Sequence, residues 1–165
     1  MSTEYQTSTA AVTVRTADAD DADDIMDLWN GYADTLEDYD ERFTIEPGGR
    51  EKWQSYFTNS LVESSRGDII LAERDGAVVG ALEARVIGGH PVFKFGKHGQ
   101  VYGHYVAESE RGKGVGRALL EAAEEWFQER DMPFWRVNVL HGVAEEAVYE
   151  SFGMRPMETV YEKEC

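Results

Sequence analysis

The 165-residue sequence predicts one α/β domain, an α+β arrangement in which a mixed central sheet is flanked by helices. Three observations carry this expectation. The length suits a single domain able to bury a core without disulfides or a metal. The apolar pattern switches along the chain between the strand period and the helix period. No internal repeat and no linker-like composition interrupts residues 11–165, which are read as the domain; the Ser/Thr-rich residues 1–10 are expected to be a flexible leading segment.

The elements follow in order. Residues 11–15 are short, β-branched and alternating, as a first strand should be. Asp18, Asp20, Asp21, Asp23 and Asp24 then open a helix, Asp18 or Asp20 capping it and the others favouring the positive end of its dipole. Ile25, Leu28, Trp29, Tyr32 and Leu36 recur on one face of that helix. Pro47-Gly48-Gly49 breaks the chain before a second amphipathic helix carrying Trp53, Tyr56, Phe57, Leu61 and Val62. Two apolar runs, 68–73 and 77–86, flank Asp75-Gly76, a strong hairpin signal.

A glycine-punctuated connection, 87–99, leads to a strand over 100–106. Val115, Leu119, Ala122 and Trp126 step at helical spacing between Gly114 and Arg130. A strand over 134–140 follows Pro133. Ala144, Val148 and Phe152 mark a short helix with Gly153 as its C-terminal cap, and residues 159–161 are expected to close the sheet.

Charge narrows the function. The formal net charge is −16, with 32 acidic against 16 basic residues, so nucleic acid and anionic membrane are excluded as main partners. Only 5 of the 16 basic residues are lysines, which together with the acid excess points to a halophilic origin: a solvated surface suited to high salt. The single cysteine, Cys165, allows no disulfide within the chain, and no signal-peptide pattern or apolar membrane span is present. A soluble, cytoplasmic protein is expected. Four histidines and one cysteine have no metal-ligand spacing, so no metal is expected.

The chemistry concentrates in one segment. Arg111-Gly112-Lys113-Gly114-Val115-Gly116-Arg117 joins a strand to a helix, with three glycines in five residues and three basic residues without an acid. Unpaired N–H groups and the dipole at such a helix start favour a phosphate. The nucleotide loop G-x-x-x-x-G-K-[ST] fails because Gly114 follows Lys113, and G-x-G-x-x-G fails because Arg117 stands at its last glycine.

Arg111-Gly-Lys-Gly114-Val-Gly116 does match the [RQ]-x-x-G-x-[GA] signature of the GNAT (Gcn5-related N-acetyltransferase) family, and Tyr149-Glu-Ser-Phe-Gly153-Met154 resembles that family's later tyrosine motif. The resemblance covers roughly residues 12–161 and implies a GNAT-like fold that moves an acetyl group from acetyl-CoA to a primary amine by direct transfer. It further implies that main-chain groups of His104, Tyr105 and Val106 pair with the pantetheine arm. The N–H groups of Arg111, Gly112, Lys113, Gly114, Val115 and Gly116 would cradle the pyrophosphate. Tyr149 would protonate the departing thiolate. The family's usual Asn and Ala before the tyrosine are replaced by Gly142 and Glu145.

A base with a pKa near working pH is needed for the amine, which makes His104 attractive, with Glu83 on the preceding strand as the second choice. The acceptor, a small-molecule amine or a protein or peptide amine, has no readable code, and a homodimer is plausible through the resemblance alone. The competing reading is a catalytically silent CoA- or anion-binding module of the same fold; Tyr149 argues against it.

Overall fold

The structure, a computed structural model, describes residues 2–62, 64–142 and 146–165. Its chain order is β1 (Glu4–Tyr5), β2 (Thr13–Thr16), α1 (Ala22–Tyr39), α2 (Gly49–Tyr56), β3 (Gly67–Arg74), β4 (Ala77–Ile87), β5 (His98–Val106), α3 (Val115–Gln128), β6 (Trp135–Val137) and α4 (Glu146–Ser151). The strands form one six-stranded sheet in sequential order, antiparallel throughout except for the parallel β5–β6 pair. This is the expected mixed sheet flanked by helices.

Strand alternation decides what each face buries. On β3, Ile69 and Leu71 face one way and pack with Ile25 of α1 and with Phe57 and Leu61, which follow α2 in a π-helical turn. Ile70 and Ala72 face the other way, where α3 covers the sheet with Val115, Leu119, Ala122 and Trp126. All four of these α3 residues are at most 1% exposed, so the helix contributes its whole apolar stripe to the larger core.

The acid cluster works as a helix start. Asp18 accepts from the Asp20 N–H at 3.0 Å, and Asp21 returns a bond to the Asp18 N–H at 2.8 Å, a capping box over a 3-10 turn that feeds α1. Arg15 of β2 donates two bonds of 2.8 Å to Asp21 and one of 2.7 Å to Glu73, tying that helix start to β2 and β3.

Three expectations need correction. Residues 1–10 were expected to be flexible and outside the domain, yet β1 pairs with β2 and Tyr5 is 5% exposed in the core. Ser8 also binds Glu121 of α3 through its N–H and its hydroxyl, each at 2.8 Å. The closing strand at 159–161 does not form: Val160 and Tyr161 are 80% and 92% exposed, because three residues among glutamates gain too little burial to offset ordering. The strand expected over 134–140 pairs only at Trp135–Val137. Ala144, expected in the last helix, and Glu145 lie outside the described residues.

Candidate functional site

The short β6 creates the site. β5 pairs with β6 only from Gly99 to Val101, so its remaining half runs on without a partner on that edge. The register between β4 and β5 slips in the same place: Ala81 stands opposite Tyr105 and Glu83 opposite Tyr102, leaving one extra residue on β5. Gly103, with φ +57°, sits at this bulge in the left-handed region that a side chain disfavours.

The bulge reverses the face to which later residues point. Val101 packs in the α3 core, and an unbroken strand would place Gly103 and Tyr105 on that face too. Instead, Tyr105 meets Tyr32 of α1 at 5.4 Å between ring centroids, and His104 faces α3. The expectation that His104 points toward the acceptor is therefore corrected. Its Nε2 lies 3.1 Å from the Gly116 carbonyl and its Nδ1 lies 2.9 Å from the Tyr149 hydroxyl.

These partners define the proton positions. A carbonyl only accepts, so Nε2 carries the hydrogen and donates to Gly116. In the neutral ring Nδ1 is then an acceptor, and Tyr149 donates its hydroxyl proton to it. Burial pushes His104 down to about 4, partly opposed by the Gly116 bond, so the ring is neutral near pH 7. Burial also raises Tyr149 to about 12, which keeps its hydroxyl protonated. The geometry makes Tyr149 a proton donor and leaves His104 with no free lone pair for an amine.

The glycine loop has the expected open donors. Gly112 (φ +75°) and Gly114 (φ +85°) turn the chain into α3, and Gly114 is its N-cap without any side-chain cap. Among the described residues, no hydrogen-bond acceptor meets the main-chain N–H groups of Gly112, Lys113, Gly114, Val115 or Gly116. Arg111 departs from the expectation, because its N–H already bonds the Glu108 carbonyl at 3.3 Å. Its guanidinium Nε donates to the Val106 carbonyl at 3.1 Å and lies over the Tyr105 ring, so that carbonyl is engaged as well.

The basic island is less isolated in space than along the chain. Lys113 stands 3.5 Å from Glu110, which is also bound to Arg74 at 2.8 Å, and Arg117 stands 3.3 Å from Glu121. The acids lie just outside 111–117 in sequence and fold back beside the cations. Arg111 has no acidic partner among the described residues.

Two cavities flank the bulge. The smaller, about 60 Å³, lies in the gap between β5 and β6 and is lined by Tyr32, Gly103, His104, Asn138, Leu140 and Tyr149. The larger, about 140 Å³, lies between α1, α2 and the sheet and includes Glu83. Tyr32 and Gly103 border both. Glu83 accepts from the Tyr56 hydroxyl at 2.8 Å, and burial raises its carboxyl pKa. Trp29 and Tyr32 of α1 and Trp53 of α2, read from sequence as parts of apolar helix faces, prove to line this cavity.

Comparison with known proteins agrees with this architecture. The model of the acetyltransferase (GNAT) family matches residues 27–154. An uncharacterised N-acetyltransferase of Archaeoglobus fulgidus is 29% identical over 118 residues, 72% of this chain and 75% of that protein. Among solved structures, a mutant protein from Bacillus halodurans superposes with a TM-score of 0.78 at 15% identity, over 92% of this chain and 98% of the other. A predicted acetyltransferase from Clostridium acetobutylicum, crystallised with acetyl-CoA, gives a TM-score of 0.72 at 18% identity, over 93% and 96% of the two chains.

Proposed function

The chain belongs to the acetyltransferase (GNAT) family and is an acyl-CoA-dependent N-acetyltransferase; from that premise we propose a division of labour among its residues. The observation that carries it is the adjacency of the two cavities, which share Tyr32 and Gly103 in their walls, beside the hydrogen-bonded pair Tyr149–His104.

Acetyl-CoA suits the residues present. The unpartnered N–H groups of 112–116 fit a pyrophosphate, and the gap between β5 and β6 fits an extended arm. When bound, acetyl-CoA supplies the activated acetyl group. Tyr149 holds one proton at Oη, directed at rest to His104 Nδ1; rotation about the Cζ–Oη bond, breaking that hydrogen bond, would turn the proton toward a departing thiolate. His104 is a positioning residue: its Nδ1 holds the Tyr149 phenol oxygen in place, and its Nε2–H is anchored on Gly116. Glu83, in the other cavity, is the group suited to take a proton from the acceptor amine, its raised pKa bringing it toward neutrality.

Calorimetric titration of acetyl-CoA, in molar KCl and in dilute buffer, tests this reading. One-to-one binding weakened by Arg111→Glu with Lys113→Glu is expected. Absence of binding by demonstrably folded protein in either buffer would overturn it.

The acid excess is read as adaptation to high salt, and full stability in dilute buffer would contradict that origin. A cytoplasmic location is read from the cysteine count, a single Cys165 that allows no internal disulfide. A homodimer rests on family resemblance, and sedimentation tests it. The acceptor amine is the remaining variable.

A further inference from the structure

We propose that the larger cavity receives a compact cationic monoamine with a benzene-sized apolar body, its nitrogen held at Glu83. This assignment of the acceptor rests on the transferase reading above.

Five aromatic side chains, Trp29, Tyr32, Trp53, Tyr102 and Tyr105, wall the cavity. Ring faces attract a cation through their quadrupoles and give an apolar body broad contact. Glu83 is the one carboxylate lining the cavity among the described residues, and no basic residue lines it. Its Oε1 accepts from Tyr56 at 2.8 Å and stands 3.5 Å from Arg85 Nε. Arg85 lies outside the lining with its side chain 42% exposed, so its ion pair with Glu83 is weakened by solvent and does not occupy the cavity. Glu83 Oε2 has no hydrogen-bond partner among the described residues.

Size and charge count then select the ligand. The cavity measures about 140 Å³. An apolar cavity of about 150 Å³ holds a benzene-sized molecule, so the part of a ligand that sits inside this open cavity is of that size. One carboxylate can match one ammonium. A polyamine would bring a second ammonium that no further carboxylate of the lining matches, and a polyhydroxylated amino sugar would leave its hydroxyls unmatched against apolar and aromatic walls. Position agrees as well: Glu83 pairs with Tyr102 in the β4–β5 register, next to Gly103, which borders both cavities.

The test titrates benzylamine, its neutral analogue benzyl alcohol, and spermidine into the full chain without acetyl-CoA, following the fluorescence of Trp29 and Trp53. Benzylamine should saturate at least about tenfold tighter than benzyl alcohol or spermidine. Glu83→Gln should erase the preference for benzylamine over benzyl alcohol while leaving the melting temperature within a few degrees. Trp29→Phe should remove much of the signal, locating it in the cavity. Equal affinity for the alcohol, tighter binding of spermidine, or an unchanged preference in Glu83→Gln would overturn the proposal. Acetyl-CoA calorimetry on the same samples separates the two readings. If benzylamine binds with the expected preference and acetyl-CoA does not, the amine site stands and the transferase roles fall; the reverse result removes the amine assignment alone.

Discussion

Replacing Tyr149 with Phe removes one oxygen and leaves the ring, its packing and the glycine loop in place. The hydroxyl donates to His104 Nδ1 at 2.9 Å. Its loss forfeits a neutral hydrogen bond worth about 1 kcal/mol and leaves a half-buried acceptor unpaired, so the total destabilisation is about 1–2 kcal/mol. In a domain of this length each kcal/mol lowers Tm by roughly 2–4 °C, a measurable but survivable change. The effect on turnover is larger, because a positioned proton donor contributes about 10²–10⁴-fold. A 100-fold loss corresponds to about 3 kcal/mol of barrier. The assay is thiol release from acetyl-CoA with saturating amine, alongside calorimetric affinity for acetyl-CoA. Expected is a fall in kcat of at least about 100-fold with the acetyl-CoA Kd within about threefold. Wild-type turnover by a Tyr149→Phe enzyme that still binds acetyl-CoA would refute the donor role.

Other consequences are equally specific. His104→Phe should lower kcat about tenfold at unchanged acetyl-CoA affinity, whereas His104→Gln, able to donate to Gly116 and accept from Tyr149, should recover much of it; equal kcat in both variants would remove the positioning role. His104 also couples stability to pH. Its folded pKa, about 4, lies below the unfolded value near 6.5, so the unfolded chain binds more protons in that window and stability falls as pH drops from about 6.5 to 4. Asp68, raised to about 6 by burial, acts in the opposite sense in the same window, so the His104 contribution, about 2–3 kcal/mol at most, is read as the difference between wild-type and His104→Gln unfolding curves at pH 7 and pH 4.5. A difference that does not change with pH would contradict it. Gly114→Ala should cost more than Gly112→Ala: both impose a left-handed backbone at about 1–2 kcal/mol, but only at 114 would the new Cβ meet Thr9 Oγ1, at 2.9 Å, with open space at 112. Thermal unfolding ranks the two. Arg15→Ala should destabilise by roughly 2–4 kcal/mol, because it strands Asp21 and Glu73, and denaturant unfolding at pH 7 reads it. Arg15 holds the Asp21 carboxyl below its usual range, so that contribution is present above the unfolded value and is lost as pH falls through the depressed one.

Much of this molecule is legible in its sequence because the signals are local. Apolar spacing makes α3 a helix with one buried face whatever it packs on, Asp75-Gly76 turns β3 into β4, and Asp18 caps the turn before α1. The glycines of 112–116 likewise declare an open helix start without reference to the rest of the fold. What remained hidden depends on residues distant in sequence. Tyr5 is buried only because β2 offers it an edge, and residues 159–161 stay exposed because no edge receives them. Glu110 and Glu121 temper the basic loop by folding back on it. The face of His104 could not be read from alternation, since a single extra residue at Gly103 reverses it and a bulge exists only relative to a neighbouring strand. The sequence by itself therefore determined most of the elements, the family and the open helix start at 112–116, all set by short-range periodicity and turn chemistry. Tertiary structure alone decided which proton Tyr149 holds, where His104 points and what Glu83 can meet, because those depend on strand register and on side chains that only packing brings together.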